Sequence, residues 1–159
     1  MDTTSFTAGY TITNNFGPVI KEALVTHDGF DRRSITIGEV RYLLTEDGSS
    51  TCRLLTGECA EGANDAAISD LQVTHQFYAR SAAARLRNDA SRRVGPTEGY
   101  SAVFAGQEAT CVSVPVSGGS KVYCVTETGV LAAYQGPDVL IELTDYESRV
   151  TEDLFSRVG

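Results

Sequence analysis

The chain has no tryptophan, one methionine, two histidines and four prolines. Nowhere does it hold the run of roughly 20 apolar residues that a membrane-spanning helix needs. That shortage excludes a span within these residues. Basic side chains are also scarce: 13 Lys and Arg face 21 Asp and Glu, for a formal charge of -8. A nucleic-acid partner calls for the opposite balance, a basic footprint that neutralises phosphates, so no nucleic acid is expected. The histidines, His27 and His75, fit no zinc spacing with the cysteines, so no metal is expected. Motifs of catalysis are missing as well, with no G-x-S-x-G elbow, H-E-x-x-H pair, P-loop or G-x-G-x-x-G. The chain therefore reads as a binding module without cofactor, not an enzyme.

What is present suffices for one domain over residues 1–159, since 42% hydrophobic content in 159 residues fills a single sizeable core. The four cysteines fall as two local pairs, Cys52 with Cys59 and Cys111 with Cys124. The stretch from Cys111 to Cys124 reads as a β-hairpin turning at Ser117 to Ser120. With Ser117-Gly118 as the loop, Cys111 faces Cys124 directly, at the close approach of a non-hydrogen-bonded pair. With Gly118-Gly119 the pair is diagonal and needs a bulge. Cys52 and Cys59 are placed across a second, tighter turn. Two disulfides are the reading, against four buried free thiols in a cytosolic protein. Disulfides imply an oxidising compartment. The start Met-Asp-Thr-Thr-Ser-Phe has no signal-peptide character, so the expectation is an extracytoplasmic domain detached from an N-terminal signal or membrane anchor, working at the outer face of the cell membrane.

Alternating segments broken by turn residues predict strands at 10–13, 19–26, 30–37, 40–45 and 51–55, and again at 102–104, 109–116, 121–126, 130–135 and 139–146. Between them residues 60–95 are rich in Ala, Arg and Gln, with no Gly or Pro from Ala63 to Val94. Asn64 or Asp65 caps this helical excursion, and Ile68, Leu71, His75, Tyr78, Ala82 and Leu86 recur at helical spacing as one buried stripe. The fold class expected is α+β, mostly antiparallel β: a strongly bent sheet, an open half-barrel, with the helical excursion covering one face.

Several segments carry a resemblance: Gly106 to Val114, Val122-Tyr123-Cys124-Val125, Gly129-Val130-Leu131, Val139 to Tyr146, and Tyr42-Leu43-Leu44 onward to Cys59. They resemble exported actinobacterial lipoproteins similar to the LolA and LprG-like half-barrel carriers of lipids and lipoproteins. The chain departs from that pattern in lacking a lipidated cysteine and a helix ahead of the first strand. The resemblance implies a lipid or other apolar ligand in the concave face of the sheet, or an envelope protein partner bound by an interaction module. Alternation names the lining as Tyr42, Leu44, Val114, Tyr123 and Val125, with Leu71 and Tyr78 from the helical lid. His27 beside Asp28 has the composition of a general base but reads as an exposed turn residue, and His75 reads as half-buried core. Five of eleven arginines, Arg80, Arg85, Arg87, Arg92 and Arg93, lie within fourteen residues and make either a patch for anionic head groups or a solvated helix surface. The acidic stretch Glu147 to Asp153 reads as solvated surface.

Overall fold

The computed structural model describes residues 5–17, 19–29, 32–71 and 73–158; Phe30, the expected start of the third strand, lies outside them. Eleven strands are described: β1 Phe6–Asn14, β2 Val19–Asp28, β3 Arg32–Ile37, β4 Val40–Thr45, β5 Gly48–Arg53, β6 Glu58–Glu61, β7 Glu98–Phe104, β8 Gln107–Val116, β9 Gly119–Thr126, β10 Leu131–Gln135 and β11 Val139–Glu147. One α-helix, α1 Arg80–Ser91, sits between the two sets, with 3₁₀ turns at Asp65–Leu71 and Glu152–Phe155.

Every pairing is antiparallel, and the strands form one open sheet in the order β6-β5-β4-β3-β2-β1-β11-β10-β9-β8-β7. Two meanders are thus joined where the first strand meets the last, in a register that places Ile12 beside Ile141. A bulge at Gly9/Tyr10 interrupts that seam. The sheet is strongly curled. Arg33 on β3 and Val125 on β9 would stand about 24 Å apart on a flat sheet, yet they line the same cleft.

Tight turns set the register. Phe104 pairs with Gln107, leaving Ala105 and Gly106 at φ 50° and 74° as the loop. Two successive positive φ values are the mark of a type I′ hairpin, whose twist matches the strands. In the next hairpin Val116 pairs with Gly119, so the loop is Ser117-Gly118 and Cys111 lies directly opposite Cys124. Both disulfides are formed, Cys52 to Cys59 and Cys111 to Cys124, with Cα separations of 4.1 Å and 4.0 Å.

The concave face carries the main core, in which Phe6, Tyr10, Ile12, Val25, Ile35, Tyr42, Val114, Tyr134 and Ile141 pack with Ile68, Leu71, Phe77 and Tyr78 of the connecting segment. A smaller cluster of Ala109, Ala132 and Ala133 surrounds the Cys111–Cys124 bridge.

The helical excursion is shorter than its composition predicts, because side chains between Asp65 and Ala79 take over the backbone's hydrogen bonds. Asn64 Oδ1 accepts from the Ala66 N–H at 3.1 Å and starts the 3₁₀ turn. Asp65 then accepts from the His75 N–H at 2.7 Å, and Thr74 Oγ1 from the Gln76 N–H at 3.3 Å. Such local bonds compete with helix, and the β-branched pair Val73-Thr74 adds to the break. The expected continuous stripe is therefore three pieces, of which only the last is α-helix.

The chain after β11 does not stand free in solvent. It crosses the outer face of the first meander as a strap: Thr7 Oγ1 donates to the Arg149 carbonyl at 2.7 Å, Ser34 Oγ donates to the Leu154 carbonyl, and Arg41 Nη1 donates to the Ser156 carbonyl at 2.7 Å. Arg32 pairs with Glu152 at 2.8 Å and lies over the Phe155 ring.

Candidate functional site: a cleft under the helix

Alanine is the reason α1 leaves space beneath it. Ala79 and Ala82 pack toward the core where longer side chains would fill the gap, Ala83 stands exposed at the cleft wall, and a cleft of about 510 Å³ remains. Its other walls are Arg33, Gln76, Tyr78 and Leu86 and, from the second meander, Tyr123, Val125, Gly129 and Leu131. That volume lies within the range of roughly 300–1,000 Å³ common to ligand sites. A smaller cavity of about 260 Å³ flanks the other side of Ala82, between Phe77, Arg85, Tyr134 and Ile141.

The position of α1 is held by polar braces at its far end. Lys121 Nζ reaches Asp89 Oδ1 at 3.1 Å, and the Tyr123 hydroxyl donates to the other oxygen of the same carboxylate. Burial and the Asp89 bond both raise the Tyr123 hydroxyl's pKa, so it stays protonated and keeps donating. Arg85 stacks over Tyr134 and meets Asp138 at 3.4 Å.

The near end is held by Tyr78, whose carbonyl accepts from the Leu131 N–H at 3.2 Å and whose hydroxyl shares a hydrogen bond with His27 Nε2. Sequence reading placed His27 in an exposed turn; it is instead on β2, 2% exposed, and stacked on Phe6. The turn residues follow it by one position, so the strand's alternation turns His27 inward with Val25 and Ala23. Burial, aided by the positive charge of Arg33, pushes His27 down to about 4, while burial pushes Tyr78 up to about 12 against the opposing pull of Arg33. Both groups are neutral at pH 7.

That shift has a sign in stability. In the fold His27 stays neutral, whereas in the unfolded chain it takes up a proton near its ordinary value, so the unfolded state gains stability as pH falls. We expect a loss of about 2 kcal/mol between about pH 7.5 and pH 5. Urea unfolding at both pH values checks it: His27→Gln should flatten this part of the profile, and an unchanged slope in the variant would assign the loss elsewhere.

Of the seven lining residues expected from sequence, the structure brings Tyr78, Tyr123 and Val125 to the cleft. Tyr42, Leu71 and Val114 are instead in the closed core, at 0%, 1% and 0% exposure, and Leu44 packs against that core. Sequence reading missed Arg33, Gln76, Ala79 and Ala83, and placed Ala82 in the stripe over the sheet without seeing that it leaves room. Arg33 had a signal in strand alternation, because it shares a face with Ile35 and Ile37.

In the arginine cluster, Arg85 is engaged as above, while Arg87, Arg92 and Arg93 are exposed; the side chain of Arg80 lies outside the described residues. His75 is half-buried, stacked on Tyr42 and 2.8 Å from Asp65. Among the described residues no three His, Cys, Asp or Glu side chains group for a metal, and no helix is long and apolar enough to cross a membrane. The cleft offers apolar contact, an amide and one guanidinium.

No family model matches the chain, and no curated protein does. Among solved structures it is similar to MucB at 12% identity, over 96% of this chain and 57% of that one, with a TM-score of 0.48. A complex of Pseudomonas aeruginosa MucA and MucB is also similar, at 14% identity over 96% of this chain and 55% of that one, TM-score 0.44. A LolA superfamily protein from Nitrosomonas europaea is similar at 10% identity, over 98% and 91%, TM-score 0.45. PNGF-II is similar at 7% identity, over 98% of this chain and 30% of that one, TM-score 0.47. The chain thus spans less than two thirds of the PNGF-II and MucB chains. At these scores no function passes from any of them to this protein.

Proposed function

We propose that residues 1–159 form one binding domain that works outside the cytoplasm, at the outer face of the cell membrane, and takes an apolar ligand into the cleft beneath α1. The cleft itself carries this reading. Its walls, Ala79, Ala82, Ala83 and Leu86 on one side and Tyr123, Val125 and Leu131 on the other, are largely apolar, and Val125 is 38% exposed within it. The two disulfides support the oxidising compartment.

A second reading, contact with an envelope protein, is favoured by the free edge of β7, where Tyr100 and Val103 are 47% and 66% exposed.

Binding of the uncharged fluorophore N-phenyl-1-naphthylamine tests the first reading. Ala83 is exposed on the cleft wall, so Ala83→Trp should weaken the probe by about tenfold or more while leaving stability within about 0.5 kcal/mol. Probe binding that survives both Ala83→Trp and Val125→Trp, or no binding by the unaltered protein, would transfer the function to the β7 edge.

A further inference from the structure

Arg33 is out of keeping with the rest of the cleft. It occupies the second position of β3, facing His27 on one neighbouring strand and Leu44 on the other, in a cross-strand row that continues to Phe6. Its half-buried guanidinium lines a largely apolar cavity. The titratable groups beside it are His27 and Tyr78, whose hydroxyl hydrogen-bonds the guanidinium, and both are neutral at pH 7. Among the described residues no carboxylate lines the cleft.

The contrast with other arginines is informative. Arg32 has Asp28 and Glu152, Arg85 has Asp138 and Arg149 has Glu147, each within 4 Å. Among the described residues Arg33 has no acidic partner, on a chain whose acidic groups outnumber its basic ones by 21 to 13. Drawing a guanidinium partly out of water against apolar walls costs free energy unless acceptors meet it, as Thr36 and the Ser156 carbonyl meet Arg41, or an anion does. Its planar fork suits a carboxylate or phosphate taken bidentately.

We propose that the ligand is a single-chain amphiphile with an anionic head, the head seated on Arg33 and the chain lying between α1 and the strand pair β9–β10. This rests on the cleft being the binding site. Gln76 stands on the same wall and offers an amide donor to the head, while Leu86, Tyr123 and Val125 line the length of the chain. The uncharged His27 and Tyr78 behind Arg33 leave its positive charge to the ligand.

Displacement of N-phenyl-1-naphthylamine from the whole chain tests the assignment with three competitors of equal length: dodecanoate, dodecyl phosphate and 1-dodecanol. Dodecanoate or dodecyl phosphate should displace the probe about ten- to a hundredfold more effectively than the alcohol, and the better of the two identifies the head. Arg33→Gln should erase that preference to within about threefold, and Arg33→Lys should keep part of it. Equal potency of acid, phosphate and alcohol on the unaltered protein would overturn the head-group site and leave the cleft standing. No binding of the probe itself would remove the cleft.

A second measurement does not depend on a variant folding. Dodecanoate labelled with ¹³C at the carboxyl should, when bound, titrate below its free value, because a neighbouring guanidinium favours the ionised form. A bound carboxyl that titrates at or above its free value contradicts the proposal.

Discussion

Reducing both disulfides lowers the stability of the folded chain by about 5 kcal/mol. The bridges join residues 7 and 13 positions apart, Cys52 to Cys59 and Cys111 to Cys124. Loop-closure entropy withheld from the unfolded chain amounts to about 2.5 kcal/mol for the first and about 3 kcal/mol for the second. The fold survives the loss, because the main core contains neither bridge. Urea midpoints with and without reductant measure the sum, and paired Cys→Ser variants divide it. The local consequence differs between the two. β6 pairs only with β5, so losing Cys52–Cys59 should open that edge to hydrogen exchange. Cys111–Cys124 joins two strands inside the order and should leave exchange there little changed. A combined loss below about 2 kcal/mol would contradict the entropic account.

Tyr10→Ala costs about 4 kcal/mol. The side chain is 1% exposed at the seam where the meanders meet. Its hydroxyl donates to the Leu131 carbonyl at 2.6 Å, and its ring meets Phe77 edge-on at 5.1 Å. One residue therefore ties β1 to β10 and to the segment that fills the concave face. Truncation removes a large aromatic volume and strands a buried carbonyl, which places the cost at the upper part of the range of about 3–5 kcal/mol for aromatic to alanine changes. Tyr10→Phe isolates the hydroxyl and should cost about 1–2 kcal/mol. Equilibrium unfolding of the two variants provides the figures. A Tyr10→Ala loss below about 2 kcal/mol would mean that the seam collapses onto the gap.

Ten of the eleven described strands were legible because alternation and turn chemistry act locally; β6 was not, and its residues 60 and 61 had been read into the helical excursion. Val116 to Gly119 can be closed in few ways, and only the Ser117-Gly118 loop puts Cys111 straight across from Cys124. Where the helical excursion breaks was not legible. It depends on Asp65 reaching His75 ten positions on, a bond that exists only once the chain has turned. His27 was misplaced because the turn letters Asp28-Gly29 beside it outweighed the strand pattern before it. Tail docking was invisible for a related reason: the polar side chains that receive it, Ser34 and Arg41, read as ordinary outward positions until the strap covers them.

The cleft was half legible. Alternation identified the inward faces of β8 and β9 and of the first meander, so Tyr123 and Val125 were named together with Val114 and Tyr42. Ile68 and Leu71 are large and fill the core with Tyr42, and Val114 on β8 is shut within the same core, whereas Ala82 and Ala83 of α1 leave room beside Tyr123 and Val125.

Whether this room takes an apolar ligand is read from a crystal grown with an uncharged long-chain alcohol. The predicted result is continuous chain density between Ala82 and Leu86 on α1 and Tyr123, Val125 and Leu131 on the sheet. An empty cleft at saturating alcohol, or a chain bound only on the outer face or along β7, would contradict it.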